Sequence, residues 1–192
     1  MKDATSAWAQ LPFGEAQLVG DTTRHLGTEG LERAFERVED SFETGGGSLA
    51  AIVLRCPDGR REQPLAATLS QSGGLLGDRW SLGKAMPGDQ VSMMNVEVAA
   101  RIANGQSIAL FGDNLFTDLD LRTSALPEGS QLRIGEAVLE VSATPHVPCD
   151  RFRSRFGHAA FRLAANASRV RGVYLTVLVG GAIAVGDPVR PA

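Results

Sequence analysis

The sequence predicts one mainly β domain, a compact and mostly antiparallel closed barrel with a few peripheral helices. Three observations carry that expectation. Short β-rich runs recur along the chain with turn signals between them. Twenty-two glycines and nine prolines supply many sharp connections. No regular alternation of helix and strand appears, which excludes a doubly wound parallel sheet. The 192 residues suit one ordinary domain, and 43% hydrophobic against 21% charged residues is enough to bury a core.

Taken in order, residues 28–43 read as an amphipathic helix. Leu31, Ala34, Phe35, Val38 and Phe42 share a face, Thr28 stands as N-cap, and Glu29 pairs with Arg33 at i,i+4. Gly45-Gly46-Gly47 ends it, so residues 1–47 form an N-terminal helical segment and 48–192 the barrel. Leu49 to Leu54 reads as a strand closed by the turn Pro57-Asp58-Gly59. Helical stretches are expected near Asn95 to Ala103 and near Ala159 to Val170. Arg133 to Val141 reads as a hairpin or bent strand pair around Gly135-Glu136. Val173 to Val179 and Ala182 to Val185 read as a hairpin joined by Gly180-Gly181.

Composition narrows the function classes. Nineteen basic minus 22 acidic residues give a net charge of −3, and aromatics are 6%, which argues against nucleic acid as partner. The most apolar stretch, Val173 to Gly186, is too short to span a bilayer, so no membrane role is expected. The N-terminus carries an early acid and leads into no apolar signal region. Two cysteines, Cys56 and Cys149, give no disulfide framework and point to a reducing cytoplasm. The average charge hides an asymmetry. Residues 1–48 carry nine acids and four bases, whereas Asp150 to Arg171 holds six arginines and one acid. Arginine is the residue suited to forked contacts with phosphate or carboxylate.

Three segments hold candidate chemistry. In Thr144-Pro145-His146-Val147-Pro148-Cys149-Asp150-Arg151, two prolines stiffen a loop that presents Cys149 beside arginines. Neighbouring positive charge favours the thiolate, which is both nucleophile and metal ligand. Against this stands the plain reading of a cysteine as a small buried apolar residue, which serves for Cys56. His146 reads as a hydrogen-bonding member of the loop, because Cys–His catalytic pairs meet across a fold and not along a loop. No zinc spacing exists among three histidines and two cysteines. In Gly73-Gly74-Leu75-Leu76-Gly77-Asp78-Arg79-Trp80, glycines let backbone approach an anion that Arg79 can clamp, or else form a turn with a salt bridge. In Leu110 to Asp120 the acids do not match a calcium loop, and Asn114 offers a donor and an acceptor to a heterocycle, with a turn as the default.

In this order the segments resemble the MOSC domain, named after the C-terminal part of molybdenum cofactor sulfurases. The matching pieces are Gly74 to Trp80, Gly112-Asp113-Asn114-Leu115, Leu132 to Gly135, Pro148-Cys149, Arg171 to Tyr174 and Gly180 to Asp187. The likeness covers roughly residues 48–190 and is to stand-alone bacterial members. It implies a closed MOSC-type β-barrel and the molybdenum cofactor (molybdopterin), with Cys149 as molybdenum ligand or sulfur carrier. It further implies Arg79 on the cofactor phosphate, Asn114 on the pterin, and His146 and Arg151 as adjoining cofactor contacts. Asp113 departs from the family's commoner glutamate, which leaves its role open.

The activity so implied is an oxidoreductase that reduces N-hydroxylated or N-oxygenated small molecules, with electrons from a separate electron-transfer protein. The alternatives are a sulfur carrier with a Cys149 persulfide and a non-catalytic cofactor-binding module. A concave site shared by Cys149, Arg79 and Asn114 is the structural expectation.

Overall fold

The computed structural model describes residues 19–83, 86, 88–167 and 169–192. The helices are α1 (Thr28–Phe35), α2 (Val96–Ala103) and α3 (Asp150–Asn166). The strands in chain order begin with β1 (Gly47–Ile52), β2 (Leu54–Arg55), β3 (Arg61–Glu62), β4 (Ala66–Ser70), β5 (Gly74–Leu75) and β6 (Val91–Asn95). They continue with β7 (Leu115–Thr117), β8 (Gln131–Ile134), β9 (Ala137–Val141), β10 (Val173–Val179), β11 (Gly181–Ala184) and β12 (Pro188–Pro191). Seven strands close a barrel in the order β1-β12-β8-β9-β10-β6-β7, with β7 returning to β1. All its pairings are antiparallel except β6 with β7, whose crossover contains α2. The mainly β closed barrel that the sequence predicts is therefore the fold.

Period-two burial explains the barrel wall. In β8, Leu132 and Ile134 face inward while Gln131 and Arg133 face out. In β10, Val173, Leu175 and Val177 do the same. These side chains join Leu49, Ile52, Met93, Leu115 and Leu139 in the barrel interior. A second apolar layer lies outside the barrel, where α1, α2 and α3 pack Leu31, Ile102, Phe152 and Phe156 against Met94 and Phe116. Asn95 caps α2 with its side-chain oxygen, which accepts from the amides of Glu97 and Val98 at 2.9 and 3.1 Å.

Four local expectations need correction. The helix expected over 28–43 stops at Phe35, because Arg37 is left-handed (φ 54°), and a separate 3-10 turn follows at Val38–Ser41. Its N-cap is Gly27 and Thr28 is already helical. The Glu29–Arg33 pair exists at 3.8 Å but both side chains are exposed, so it contributes little. The helix expected from Ala159 begins at Asp150 instead, with Cys149 as its N-cap. Phe152, Phe156, Ala160 and Ala164 are the buried i,i+4 stripe that holds it to the barrel. Gly157 interrupts this helix with φ 90°, where an added Cβ would lie 3.0 Å from His25 Cβ. Finally, β10 and β11 do not pair. At Gly180 the chain leaves the barrel, and β11 adds to β4 and β5 in a separate three-stranded sheet. The strand pair about Gly135-Glu136 is formed as expected, by β8 and β9.

Within residues 19–47, α1 and the 3-10 turn cover the outer apolar layer. No helix among the described residues is long and apolar enough to cross a membrane.

Candidate functional site

Pro148 is buried and Cys149 is exposed, at the point where the loop from β9 becomes α3. The helix start is fixed from below. Phe111 stacks on Phe156 at 4.0 Å between centroids and meets Phe152 edge-on at 5.8 Å. Arg155 donates to the Leu110 carbonyl at 2.7 Å, tying the same turn to the segment before β7. The interruption at Gly157 frees the Arg155 carbonyl. Gln106 Nε2 lies 3.3 Å from that oxygen and His25 Nε2 3.0 Å.

Beside Cys149 lies a cavity of about 190 Å³. Arg55, Arg61, Arg79, Arg151, Arg155 and Arg171 all line it, and no carboxylate does so among the described residues. Two of the guanidinium groups are neutralised by carboxylates set behind the wall. Asp78 takes a forked contact from Arg55, at 2.9 Å from Nε and 2.7 Å from Nη2. Burial works against the charge on Asp78, yet the hydrogen bonds and positive charge of Arg55 hold its carboxyl below the usual range. Asp113 pairs with Arg171, and both are buried. The guanidinium of Arg171 also sits over the rings of Phe152 and Phe111, at 5.2 and 5.9 Å.

Arg61 shows the excess of positive charge most directly. Burial, with the charges of Arg79, Arg155 and Arg55, pushes its pKa down to about 10. Its Nη1 donates to the Gly59 carbonyl at 3.0 Å, while its buried Nε has no partner among the described residues. A cavity wall of this kind favours an anion.

The residues expected at the site are partly brought together. Cys149, Arg79, Arg151 and His146 all line this cavity. Arg79 opens a 3-10 turn, Arg79–Leu82, capped by Asp78, whose oxygen accepts from the Trp80 amide at 2.9 Å. The turn does carry a salt bridge, but Asp78 makes it with Arg55, and Arg79 lines the cavity. Asn114 does not line the cavity. It is fully buried one layer below, where Oδ1 accepts from the amide and hydroxyl of Ser92, each at 3.2 Å. Its Nδ2 donates to Asp78 at 2.9 Å and to the Val53 carbonyl at 3.4 Å. Both functions of the amide that suggested a heterocycle are spent on positioning Asp78 and β6.

His146 does not make the loop hydrogen bond that its sequence setting suggests: its buried Nδ1 has no partner among the described residues. Its Nε2 is 3.6 Å from Asp113 Oδ1, and its ring lies 4.1 Å from that of Tyr174. Burial is the chief cause that pushes its pKa down to about 3, with help from Arg171 and Arg55 and against Asp113. It is therefore neutral near pH 7, and no ion pair with Asp113 forms. Sequence reasoning missed Arg55 and Arg61, which sit on the β2–β3 hairpin with no motif to mark them. It recorded Arg155 and Arg171 only as members of a basic run, although Arg171 stands in the matched stretch before Tyr174.

The molecule is thus a closed barrel with one exposed thiol beside an arginine-lined cavity. The chain belongs to the MOSC domain family, whose family model matches residues 85–190. That family is linked to molybdenum cofactor binding. Among solved structures, the YUAD protein from Bacillus subtilis is similar at 18% identity and a TM-score of 0.60, over 77% of this chain and 96% of that one. YiiM from Escherichia coli is similar at 22% identity and a TM-score of 0.51, over 76% of this chain and 69% of that one. YiiM from Geobacillus stearothermophilus is similar at 18% identity and a TM-score of 0.53, over 76% and 75%. No curated protein sequence matches the chain. The structural likenesses establish the fold.

Proposed function

We propose that the protein binds the molybdenum cofactor in the arginine-lined cavity, with Cys149 as a metal ligand, and reduces N-hydroxylated or N-oxygenated small molecules. The observation that supports this most is the exposed Cys149 beside six arginines, with no carboxylate among the described residues lining the cavity. The residues present fit the group. A thiolate is a soft donor suited to such a centre. The orphaned Arg61 Nε and the guanidinium groups of Arg79 and Arg151 are suited to its phosphate and pterin oxygens. Arg55 and Arg171, already paired to Asp78 and Asp113, define the cavity shape more than its free charge.

The cofactor, when bound, supplies a two-electron exchange that this chain's side chains do not provide. The overall change on a substrate breaks an N–O bond, consumes two electrons and two protons, and releases water. The electrons come from a separate protein, and cytoplasmic location belongs to the same proposal. Neutral His146 presents hydrogen-bonding capacity to the cavity without adding charge, while Phe111 and Phe152 form its apolar wall.

Metal analysis and native mass spectrometry of protein made in a cofactor-competent host test the reading. Molybdenum and a pterin mass are expected, both lost in Cys149→Ser, whose folding stability stays within about 0.5 kcal/mol because the side chain is exposed. Folded wild-type protein with neither molybdenum nor pterin refutes it. The exposure of Cys149 also favours a second reading, a persulfide carrier. That reading predicts a sulfur adduct of about 32 Da on Cys149 without bound pterin.

A further inference from the structure

A second cleft, of about 350 Å³, shares His146 and Val147 with the arginine cavity as a common wall. It lies between the end of α3, the start of β10 and the loop after β9. Its volume falls in the range of small-molecule sites, about 300–1,000 Å³. Its lining combines Arg169, Glu128 and the hydroxyls of Ser142 and Thr144 with apolar Val147 and Val173.

Arg169 is the informative residue. It occupies the tight turn between α3 and β10, where the Gly172 amide donates to its carbonyl at 2.9 Å. Its φ of 63° is left-handed, a conformation that side-chain-bearing residues adopt at a cost. Glycine is the residue such a position favours. The arginine nevertheless present there has a buried Nη1 with no hydrogen-bond partner among the described residues. Burial pushes its pKa down, and the charge of Glu128 opposes that. No carboxylate among the described residues lies within ion-pair distance of it, in contrast to Arg171 two residues later, which pairs with Asp113. The two arginines of one turn thus line two different cavities.

We propose that this second cleft is a binding site for a small carboxylate that also carries a hydroxyl or amine. A lone guanidinium matches one carboxylate in forked geometry. Glu128 at the same cleft accepts from a donor on the ligand and disfavours a dianion such as phosphate. Ser142 Oγ accepts from the Thr144 amide at 3.0 Å, which leaves its own hydrogen to donate. Val147 and Val173 cover the apolar part of the ligand. The site shares its His146–Val147 wall with the arginine cavity but uses neither Cys149 nor any of the arginines that line that cavity.

The test is a two-dimensional amide NMR titration of the purified full chain with 3-hydroxybenzoate, with neutral 3-hydroxybenzamide as control. Saturable shifts are expected at Thr144, Asn166 and Gly172, with the amide binding at least about tenfold more weakly, the usual size of a lost charge-assisted contact. Arg169→Gly is expected to lose binding by the same factor while its melting temperature stays level or rises, because glycine relieves the left-handed turn. Arg169→Gln repeats the binding loss with a side chain retained. Inorganic phosphate added first, to occupy the arginine cavity, leaves the titration in place. No saturable shift, an Arg169→Gly variant that melts lower, or displacement by phosphate overturns the proposal. The melting readout separates a ligand-binding arginine from one that merely supports the turn.

Discussion

Asp113→Asn is the most decisive change to make in the folded core of the site. Asp113 has no exposed surface and pairs with Arg171, whose side chain is 7% exposed. The substitution keeps shape and removes the charge, which strands a buried guanidinium. Breaking a buried pair from one side costs about 3–5 kcal/mol. Arg171 retains a carbonyl contact to Phe111 at 3.4 Å, Met94 Sδ at 3.6 Å and two aromatic rings, so the lower end, about 3 kcal/mol, is expected. For a chain of this size that lowers the melting temperature by about 6–12 °C. Urea unfolding followed by circular dichroism, with a parallel thermal scan, reads both numbers. Replacing both partners, Asp113→Leu with Arg171→Met, recovers most of the loss, because apolar side chains leave no stranded charge. A single-variant loss below about 1 kcal/mol would refute the claim that Asp113 is the counter-charge of Arg171.

Two further outcomes follow from the same region. His146 is held neutral with its pKa down to about 3, below the ordinary 6.5, so the unfolded chain takes up its proton first. The stability this contributes is complete above about pH 6.5 and is lost as pH falls toward 3, by about 2 kcal/mol between pH 7 and 5. Urea titrations at both pH values should show that slope in the wild type and a much flatter one in His146→Gln. Gly157→Ala places a Cβ at φ 90° and 3.0 Å from His25, and a loss of about 1–3 kcal/mol in urea unfolding is expected.

The fold was legible where alternation was clean, as in Gln131 to Ile134 and Val173 to Val177, and where glycine marked a true tight turn at Gly135. Gly180-Gly181 misled because a bend between two sheets and a hairpin look alike along one chain. The start of α3 was hidden by its own chemistry. Arg151, Arg153 and Arg155 interleave with Phe152 and Phe156, so the stretch reads as a charged loop until the i,i+4 aromatic stripe is set against a core. At the site, Cys149, Arg79 and Arg151 carried motif signals and do line one cavity. Arg55 and Arg61 carried none, since only the folded β2–β3 hairpin turns them toward Cys149. Asn114 stands out in the sequence for its capacity to bond, but which groups it bonds is decided by packing.

The interruption at Gly157 turns the first seven residues of α3 into a short lever with Cys149 at its tip. Besides its contacts to Leu110 and Phe111, the far end of that lever is held from outside the barrel at one carbonyl oxygen, on Arg155, contacted by His25 and Gln106. Gln106 in turn accepts from the Asp21 amide at 2.7 Å, and Gly20 lies so close that any Cβ would sit 2.3 Å from the same Arg155 oxygen. Residues 20–25 therefore act as a clamp on the thiol-bearing lever from outside the barrel. Removing residues 20–25 would keep the seven-stranded wall and its interior, yet leave the exposed thiol on a helix start held only from the Leu110–Phe111 side.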